Sequence, residues 1–337
     1  MSIGIDIGNT SIKIVELKEN GDKFDLKGSG IVAYNGKLPE NQTQESDLTS
    51  LTDVIRKLHK DAGISKRDVN IALPESQVFT RIVKFPLLSD QEIASAIKWE
   101  AEQYIPIPLT EAIVQHQIIE RNEKSTPPAT FVLLVAVPRK LVEDYIKVVQ
   151  KADLNVMGVE SQLLSLTRSL GKKEGTMLLL DFGASSTNLA IVRNGFLAFS
   201  RSIPTGGSAF TRAVAQNLGI QEKQAEGYKR TYGMNPGQLE GKIKATIDPV
   251  FKLVVDEIGR AIHFYQTENQ TSPPTAVVAT GASVGMPGMV STLSKQLGVE
   301  VTLGNPFAKV NLPENASKTI LGYASMYGIA TGLAMRD

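Results

Sequence analysis

The sequence predicts an α/β protein of two related lobes, with a small α+β unit inserted into the first. Three observations carry this. A strand, an Asp-x-Gly turn rich in hydroxyls and a second strand occur twice, as Ile5-Asp6-Ile7-Gly8-Asn9-Thr10-Ser11-Ile12 and as Leu180-Asp181-Phe182-Gly183-Ala184-Ser185-Ser186-Thr187. Between the copies, from about Val78 to Ala152, the order becomes strand–helix–strand–strand–helix. The 337 residues suffice for about two domains of ordinary size.

Each element follows from local pattern. Ile3–Ile7 is a β-branched run ended by Gly8-Asn9, Ile12–Leu17 follows, and Asn20-Gly21-Asp22 turns the chain again, an opening meander. The polar segment 36–50 reads as loop. Leu51, Val54, Ile55 and Leu58 give Leu48–Ala62 a helical period closed by Gly63. Val69–Leu73 and Val78–Phe85 are strands, the latter stopped by Pro86. Ser89 and Glu92 form a capping box for a helix with Ile93, Ile97, Ala101 and Tyr104 on one face, ended by Pro106 and Pro108. The single tryptophan, Trp99, projects away from that face, which leaves it either at a contact surface or in a second buried site. Ile113–Ile119 and Thr130–Val137 are strands around a loop at Ser125–Pro128, and Leu141–Ala152 is a helix. Leu154–Val159 is a strand and Ser161–Leu170 a helix. Thr176–Asp181, Asn188–Val192 and Phe196–Ser200 form the second meander. Helices then dominate: Ala209–Leu218, Gln221–Tyr232 and Val250–Glu268. Thr275–Thr280 is a strand, Gly288–Leu297 a helix and Val299–Leu303 a strand. A final helix, Thr319–Met335, is rich in small residues.

Composition excludes several functions. Lys and Arg number 36 against 35 Asp and Glu, so there is no basic field for nucleic acid. The chain has no cysteine, hence no disulfide, thiolate metal site or thiol nucleophile. His59, His116 and His263 are scattered singly. There is no G-x-x-x-x-G-K-[ST] loop and no G-x-S-x-G elbow. The N-terminus enters a strand pattern without a basic leader. The apolar runs Thr130–Pro138 and Met177–Leu180 are far shorter than the ~20 residues of a membrane span. A soluble protein is expected, held at any membrane by a partner or a weak surface contact.

The repeat suits phosphate chemistry. Glycine and hydroxyl residues at a strand-to-strand turn leave backbone N–H groups free for an anion. Gly8, Asn9, Thr10 and Ser11 form one candidate cradle, and Gly183, Ala184, Ser185, Ser186 and Thr187 the other. Lys13 could reach the same phosphates. Asp6 and Asp181, at the strand ends, would hold Mg²⁺ mostly through water. In the second half, Glu226 and Lys229 share a helix face, which suits either a ribose and base or a surface ion pair. Gly281, Ala282 and Ser283 make a tight turn after a strand, open to a flat ring or an ordinary strand exit. Thr205-Gly206-Gly207-Ser208 precedes a helix, as a hinge or a phosphate-facing N-terminus.

Gly4 to Lys13 resembles the first phosphate loop of actin-like ATPases, and Leu180 to Val192 resembles the second. Ala225 to Lys229 and Ala279 to Ser283 are similar to their nucleoside-binding segments. The resemblance runs from end to end. It is nearest to the PilM group of type IV pilus assembly proteins, relatives of FtsA, through Ile12–Leu17, Phe85-Pro86-Leu87 and Ile97–Pro106. FtsA would add a linker and an amphipathic helix beyond the last helix, and none follows here.

The resemblance implies two lobes, each on a ribonuclease-H-like sheet. Residues 1–77, with 153–175 and 318–337, would form lobe 1. Residues 78–152 would be the inserted 1C-like unit of FtsA relatives. Residues 176–317 would form lobe 2, with a helical part at 208–274. It further implies ATP and Mg²⁺ between the lobes and a cytoplasmic protein at the inner membrane. Its partner would be the cytoplasmic N-terminal segment of a PilN-like membrane protein, seated between the insert and the neighbouring lobe. A PilO-like protein, pilus motor ATPases and self-association are further partners it suggests, in a pilus, competence or secretion system. Gly183-Ala184 stands where many relatives have two glycines. For a residue that orients an attacking water, Glu160 is the nearest candidate and Gln162 the second, so ATP binding with slow or negligible turnover is expected. Two other functions share the fold: a small-molecule kinase with Asp181 as base, and a nucleotide-dependent filament protein.

Overall fold

The computed structural model describes residues 1–123, 126–269, 273–314 and 320–336. Its two large sheets share one topology. In the first, β1 (Ser2–Ile7), β2 (Ser11–Asn20) and β3 (Lys23–Ala33) form an antiparallel meander. Parallel strands β4 (Asp68–Leu73) and β8 (Asn155–Ser161) extend it to the order β3-β2-β1-β4-β8. In the second, β9 (Thr176–Phe182), β10 (Thr187–Arg193) and β11 (Phe196–Ile203) form the meander. Strands β12 (Ala276–Thr280) and β13 (Val301–Leu303) complete the order β11-β10-β9-β12-β13. A two-residue strand, β14 (Val310–Asn311), joins the outer edge of the first sheet, an addition too short to leave a sequence pattern.

The central strands are buried on both faces, which is why β1 and β9 are nearly continuous apolar runs. Alternation still sorts their residues. Ile3, Ile5 and Ile7 enter a core with Leu51, Ile55 and Leu58 of α1 (Glu45–Asp61). Gly4 and Asp6 lie on the other face. In β9, Leu178, Leu180 and Phe182 pack toward the lobe's helices. These are α5 (Gly207–Leu218), α6 (Glu222–Tyr232), α7 (Lys242–Asn269) and α8 (Met289–Leu297). Asp181 falls on the opposite face, with Met177 and Leu179.

Two short helices cover these opposite faces, and they are exchanged between the lobes. Helix α4 (Gln162–Leu170) follows the last strand of the first sheet, yet Leu163 and Leu166 pack with Met177, Leu179, Ala190 and Val192 of the second. Helix α9 (Gly328–Ala334) follows the second sheet, yet Ala330 and Ala334 pack with Val15 and Leu17 of the first. The helices cross at backbone contact. A Cβ on Gly332 would lie 1.9 Å from the Ser165 carbonyl oxygen, and one on Gly4 would lie 2.1 Å from that of Ala330. Side chains tie the crossing: Ser165 Oγ donates to the Ile329 carbonyl (2.6 Å) and Ser169 Oγ to that of Gly328 (2.8 Å).

Three elements depart from the sequence expectation. The final helix is not continuous over Thr319–Met335; residues 315–319 lie outside the described set, and a 3-10 turn at Ala324–Met326 precedes α9. That break turns the Ser325 carbonyl toward the Gly281 N–H (2.8 Å) and the Thr280 hydroxyl. Helix α7 begins before Val250 and runs through Pro249, because Ile243, Ile247, Phe251 and Val254 are all buried on one stripe. Their burial outweighs a proline cost of about 3 kcal/mol. The third is α3 (Arg139–Lys151). Its Leu141, Tyr145, Val148 and Val149 enter the first lobe's core, and strand–helix order alone does not say which neighbouring sheet a helix will cover.

The rest of the insert is a sheet of β5 (Phe79–Phe85), β7 (Ala129–Pro138) and β6 (Ala112–Asn122) in that order. Helix α2 (Asp90–Tyr104) buries Ile93, Ile97 and Ala101 on it and opens with the Ser89–Glu92 capping box. Trp99 points outward and is 73% exposed, so of its two alternatives the buried one does not hold.

Gly332→Ala should destabilise the protein by about 1–3 kcal/mol, because a backbone carbonyl cannot yield as a side chain would. Gly227→Ala on α6 meets nothing within 4 Å and should gain about 1 kcal/mol of helix propensity. Urea unfolding of both variants checks this; equal midpoints would sink the close-crossing account.

Candidate functional site

A cleft of about 580 Å³, counting its open mouth, lies between the sheets. Both hairpin turns enter it, with α4, the Thr280–Ala282 turn and the Ser325–Ile329 segment.

The two turns are alike in detail. The Gly8 N–H donates to the Ser11 carbonyl at 3.1 Å, and the Gly183 N–H to that of Ser186 at 3.0 Å. The N–H groups of Asn9, Thr10, Ala184 and Ser185 take no acceptor among the described residues. These are free donors at the rim of a cleft, two from each lobe, as an anion requires. The turns also touch: Asn9 Nδ2 lies 2.5 Å from Ser185 Oγ. Ser11 is buried at the base of its turn, and the Thr187 hydroxyl is turned inward to the Thr205 carbonyl (2.8 Å).

Asp6 pairs in register with Lys13, and their side chains form a buried ion pair at 3.0 Å through Oδ2. The other oxygen, Oδ1, is buried without a partner. In the second hairpin the register places Asn188 opposite Asp181. Asn188 is thus the repeat equivalent of Lys13, a site residue the sequence comparison of the two hairpins could have found. Burial, reinforced by the Asp6 charge and opposed by Lys13 and Asn188, pushes the Asp181 carboxyl up to about 6. Among the described residues no cluster of three or more His, Cys, Asp or Glu could hold a metal. Two carboxylates, one with an orphaned oxygen, suit a cation that keeps most of its water, so the donor set fits Mg²⁺.

Glu160 is corrected. It is absent from the cleft wall, and its carboxylate is held in a fork by Arg168 at 2.6 and 2.8 Å. Arg168 in turn donates to the Gly332 carbonyl at 2.8 Å, so this pair braces the α4–α9 crossing. Gln162, the first residue of α4, does line the cleft. The strand-to-helix join was legible, but Glu160 still belongs to β8 whereas Gln162 opens α4, and the change from strand to helix, not the spacing, decides which of them meets the cleft.

Of the residues expected to meet a nucleoside, Gly281 and Ala282 line the cleft, whereas Ser283 turns its hydroxyl to the Gly183 carbonyl (3.1 Å). Gly206, Gly207, Glu226 and Lys229 are not on the wall. Gly207 donates to the Gly183 carbonyl at 3.0 Å, and Lys229 bonds Glu226 at 2.6 Å. Thr280, Ser325 and Gly328 line the cleft without having been expected to; only the break before α9 brings Ser325 there.

A family model described as type IV pilus assembly protein PilM matches residues 4–337. Cell division protein FtsA of Streptococcus pneumoniae serotype 2 (strain D39) is 24% identical over 346 residues, covering 90% of this chain and 75% of its own. Among solved structures, a PilM-PilN type IV pilus biogenesis complex superposes with a TM-score of 0.84 at 25% identity, over 99% of this chain and 98% of that one. MreB5 of Spiroplasma citri bound to AMPPNP superposes with a TM-score of 0.55 at 12% identity, over 99% and 94%, a likeness of fold.

The raised Asp181 carboxyl fixes a pH dependence. Below about pH 4 both folded and unfolded chains carry the proton, and no penalty exists. As pH rises toward 6 the unfolded chain ionises first, so stability is lost and stays lost above 6. Asp181→Asn removes the ionisation and should stabilise the ligand-free protein by about 2–3 kcal/mol at pH 7.5. Its advantage should shrink to nothing near pH 4. Paired urea melts across that range check it; an advantage independent of pH would refute the burial account.

Proposed function

The chain belongs to the type IV pilus assembly protein PilM family and has the actin-like ATPase fold, and from this premise we propose an ATP-binding adaptor of a pilus inner-membrane platform. The observation that carries the proposal is likeness over the whole of both chains to a protein solved as a PilM-PilN complex. No helix among the described residues is long and apolar enough to cross a membrane. The adaptor would therefore sit at the inner face of the membrane through a partner, the cytoplasmic N-terminal segment of a PilN-like protein. That segment would lie between the insert and the first lobe. Related competence and secretion platforms would use the same parts.

The cleft residues would act as follows. The free N–H groups of Asn9 and Thr10 from one lobe, and of Ala184 and Ser185 from the other, would grip a triphosphate from both sides. Lys13 would turn from Asp6 toward the phosphates, and Asp6 and Asp181 would then hold hydrated Mg²⁺. Bound Mg²⁺ neutralises phosphate charge. Gln162 would orient a water; its amide has no negative charge with which to draw off a proton, which favours slow turnover.

Nucleotide would reach the partner groove through the root of the insert. The Glu75 N–H donates to Gln162 Oε1 (3.4 Å), and its carboxylate accepts from the Leu163 N–H (3.3 Å) at the start of α4. Four residues on, β5 begins and meets the second lobe, where Thr80 Oγ1 lies 2.5 Å from Ser200 Oγ. Closing the lobes would thus displace the insert.

A synthetic peptide of the PilN-like N-terminal segment should bind the full chain more tightly with saturating MgATP than without nucleotide. Allosteric couplings are typically about 5–150-fold, and the lower part of that range is expected. Asp6→Ala should remove the difference. Fluorescence anisotropy measures it. The same Kd with ATP, ADP and no nucleotide would leave an adaptor whose nucleotide is structural; no binding at all would remove the partner.

A further inference from the structure

Helix α4 receives two caps at its N-terminus, and they come from different parts of the chain. Ser161, the residue before it, accepts from the Leu164 N–H through Oγ at 3.2 Å. The Leu163 N–H donates instead to Glu75 Oε2 at 3.3 Å, on a residue 88 positions earlier. Glu75 also donates its own N–H to Gln162 Oε1 at 3.4 Å. Gln162 lines the cleft, so the first turn of α4 meets both the cleft and the root of the insert.

Two contacts join that root to elements on the second sheet, and they differ in strength. Thr80 and Ser200 are half-buried hydroxyls, which can exchange each other for water at little cost. Glu75 cannot do so. It is 3% exposed, its Oε1 has no partner, and among the described residues no cation pairs with it. A buried carboxylate in that position depends on the donor it has, and the N-terminus of a helix favours its charge. Glu75 and the start of α4 must therefore move together.

What α4 follows is the second sheet, because Leu163 and Leu166 pack with Met177 and Leu179. A shift of that sheet acts on α4, and through Leu163 on Glu75. The turn beyond Glu75 has little slack. The Gln77 N–H donates to the Pro74 carbonyl (3.0 Å) and the Val78 N–H to the Glu75 carbonyl (3.2 Å), and β5 begins at Phe79. The other root of the insert, α3, is fixed in the first lobe's core by Leu141, Tyr145 and Val148. Moving β5 while α3 stays would tilt the insert against the first lobe.

We propose that the Glu75 carboxylate, by capping α4 from the root of the insert, is the positioning residue that couples nucleotide in the cleft to the partner groove. This rests on the reading of the chain as an ATP-binding adaptor, and it names the side chain through which that adaptor is regulated.

The test is a two-ligand binding cycle on the full chain, with MgATP and a synthetic peptide of the PilN-like N-terminal segment as probes. Each Kd is measured with and without the other ligand in the wild type, Glu75→Ala, Glu75→Gln and Ser200→Ala. In the wild type MgATP should tighten the peptide about fivefold or more, and the peptide should tighten ATP by the same factor. In Glu75→Ala both ratios should fall below about twofold, while ATP affinity without peptide stays within about twofold of wild type. Glu75→Gln retains an acceptor for the Leu163 N–H and should keep the coupling, as should Ser200→Ala. A wild-type ratio in Glu75→Ala, an equal loss in Glu75→Gln, or coupling lost in Ser200→Ala instead would overturn the proposal. Should Glu75→Ala fail to fold, hydrogen exchange of the wild type decides. MgATP alone should slow the Leu163, Glu75 and Val78 N–H groups together, about fivefold each; a change at Leu163 with none at Glu75 and Val78 would overturn the proposal. A wild type without coupling fails the adaptor reading itself, whereas wild-type coupling that survives Glu75→Ala fails this inference alone.

Discussion

The crossing of α4 and α9 is the constraint on which the arrangement of the molecule depends. Each helix is supplied by one lobe and spent on the other's sheet. Because Gly332 allows backbone contact between the helices, and Gly4 lets α9 lie directly on β1, the sheets are held near enough for Asp6 and Asp181 to share a cleft. The carboxylates lie on the strand faces that these helices cover, at the strand ends. Asp6 and Asp181 consequently sit close enough for the first to raise the second. A wider crossing would relieve that repulsion and also separate the two sets of free N–H groups. The electrostatic strain of the cleft and the approach of the two hairpin turns have one geometric origin.

Legibility in the sequence followed periodicity and repetition. The two hairpins were legible because the same turn chemistry recurs in the same strand context, and the matched Gly8–Ser11 and Gly183–Ser186 bonds are its result. The face of α2 was legible from Ile93, Ile97 and Ala101, and the exposure of Trp99 follows from its place on the opposite side. What was not legible depends on which neighbour an element finds. Nothing in the period of α3 says that it covers the first sheet rather than the insert. Nothing in the small residues after Thr319 says that the chain must break to turn the Ser325 carbonyl toward Gly281. Glu160 shows the limit most sharply. A carboxylate at a strand-to-helix join is a reasonable water-orienting group until Arg168 is seen to take both of its oxygens.

Hydrogen-bond partners sort the other charged groups as well. Lys13 is buried beside Asp6, which takes one of its three donors and retains a second oxygen without a partner. Lys229 is buried to a similar degree, and all three of its donors are taken. Burial alone therefore does not distinguish the two lysines; the hydrogen bonds their donors make do.

Glu75 extends this logic to the junction of the lobes. Its carboxyl is buried, and burial pushes it up to about 6 although the Leu163 N–H donates to one of its oxygens. Among the described residues no cation pairs with it, and one of its oxygens has no partner. Its N–H donates to Gln162 Oε1 and its carboxylate accepts from the Leu163 N–H, both at the start of α4. A buried carboxylate is most stable in the arrangement that keeps its donor in place. Five residues on, Thr80 meets Ser200 of β11 in the second lobe. Opening and closing of the cleft are thereby joined, at one residue, to the position of the strand that begins the insert.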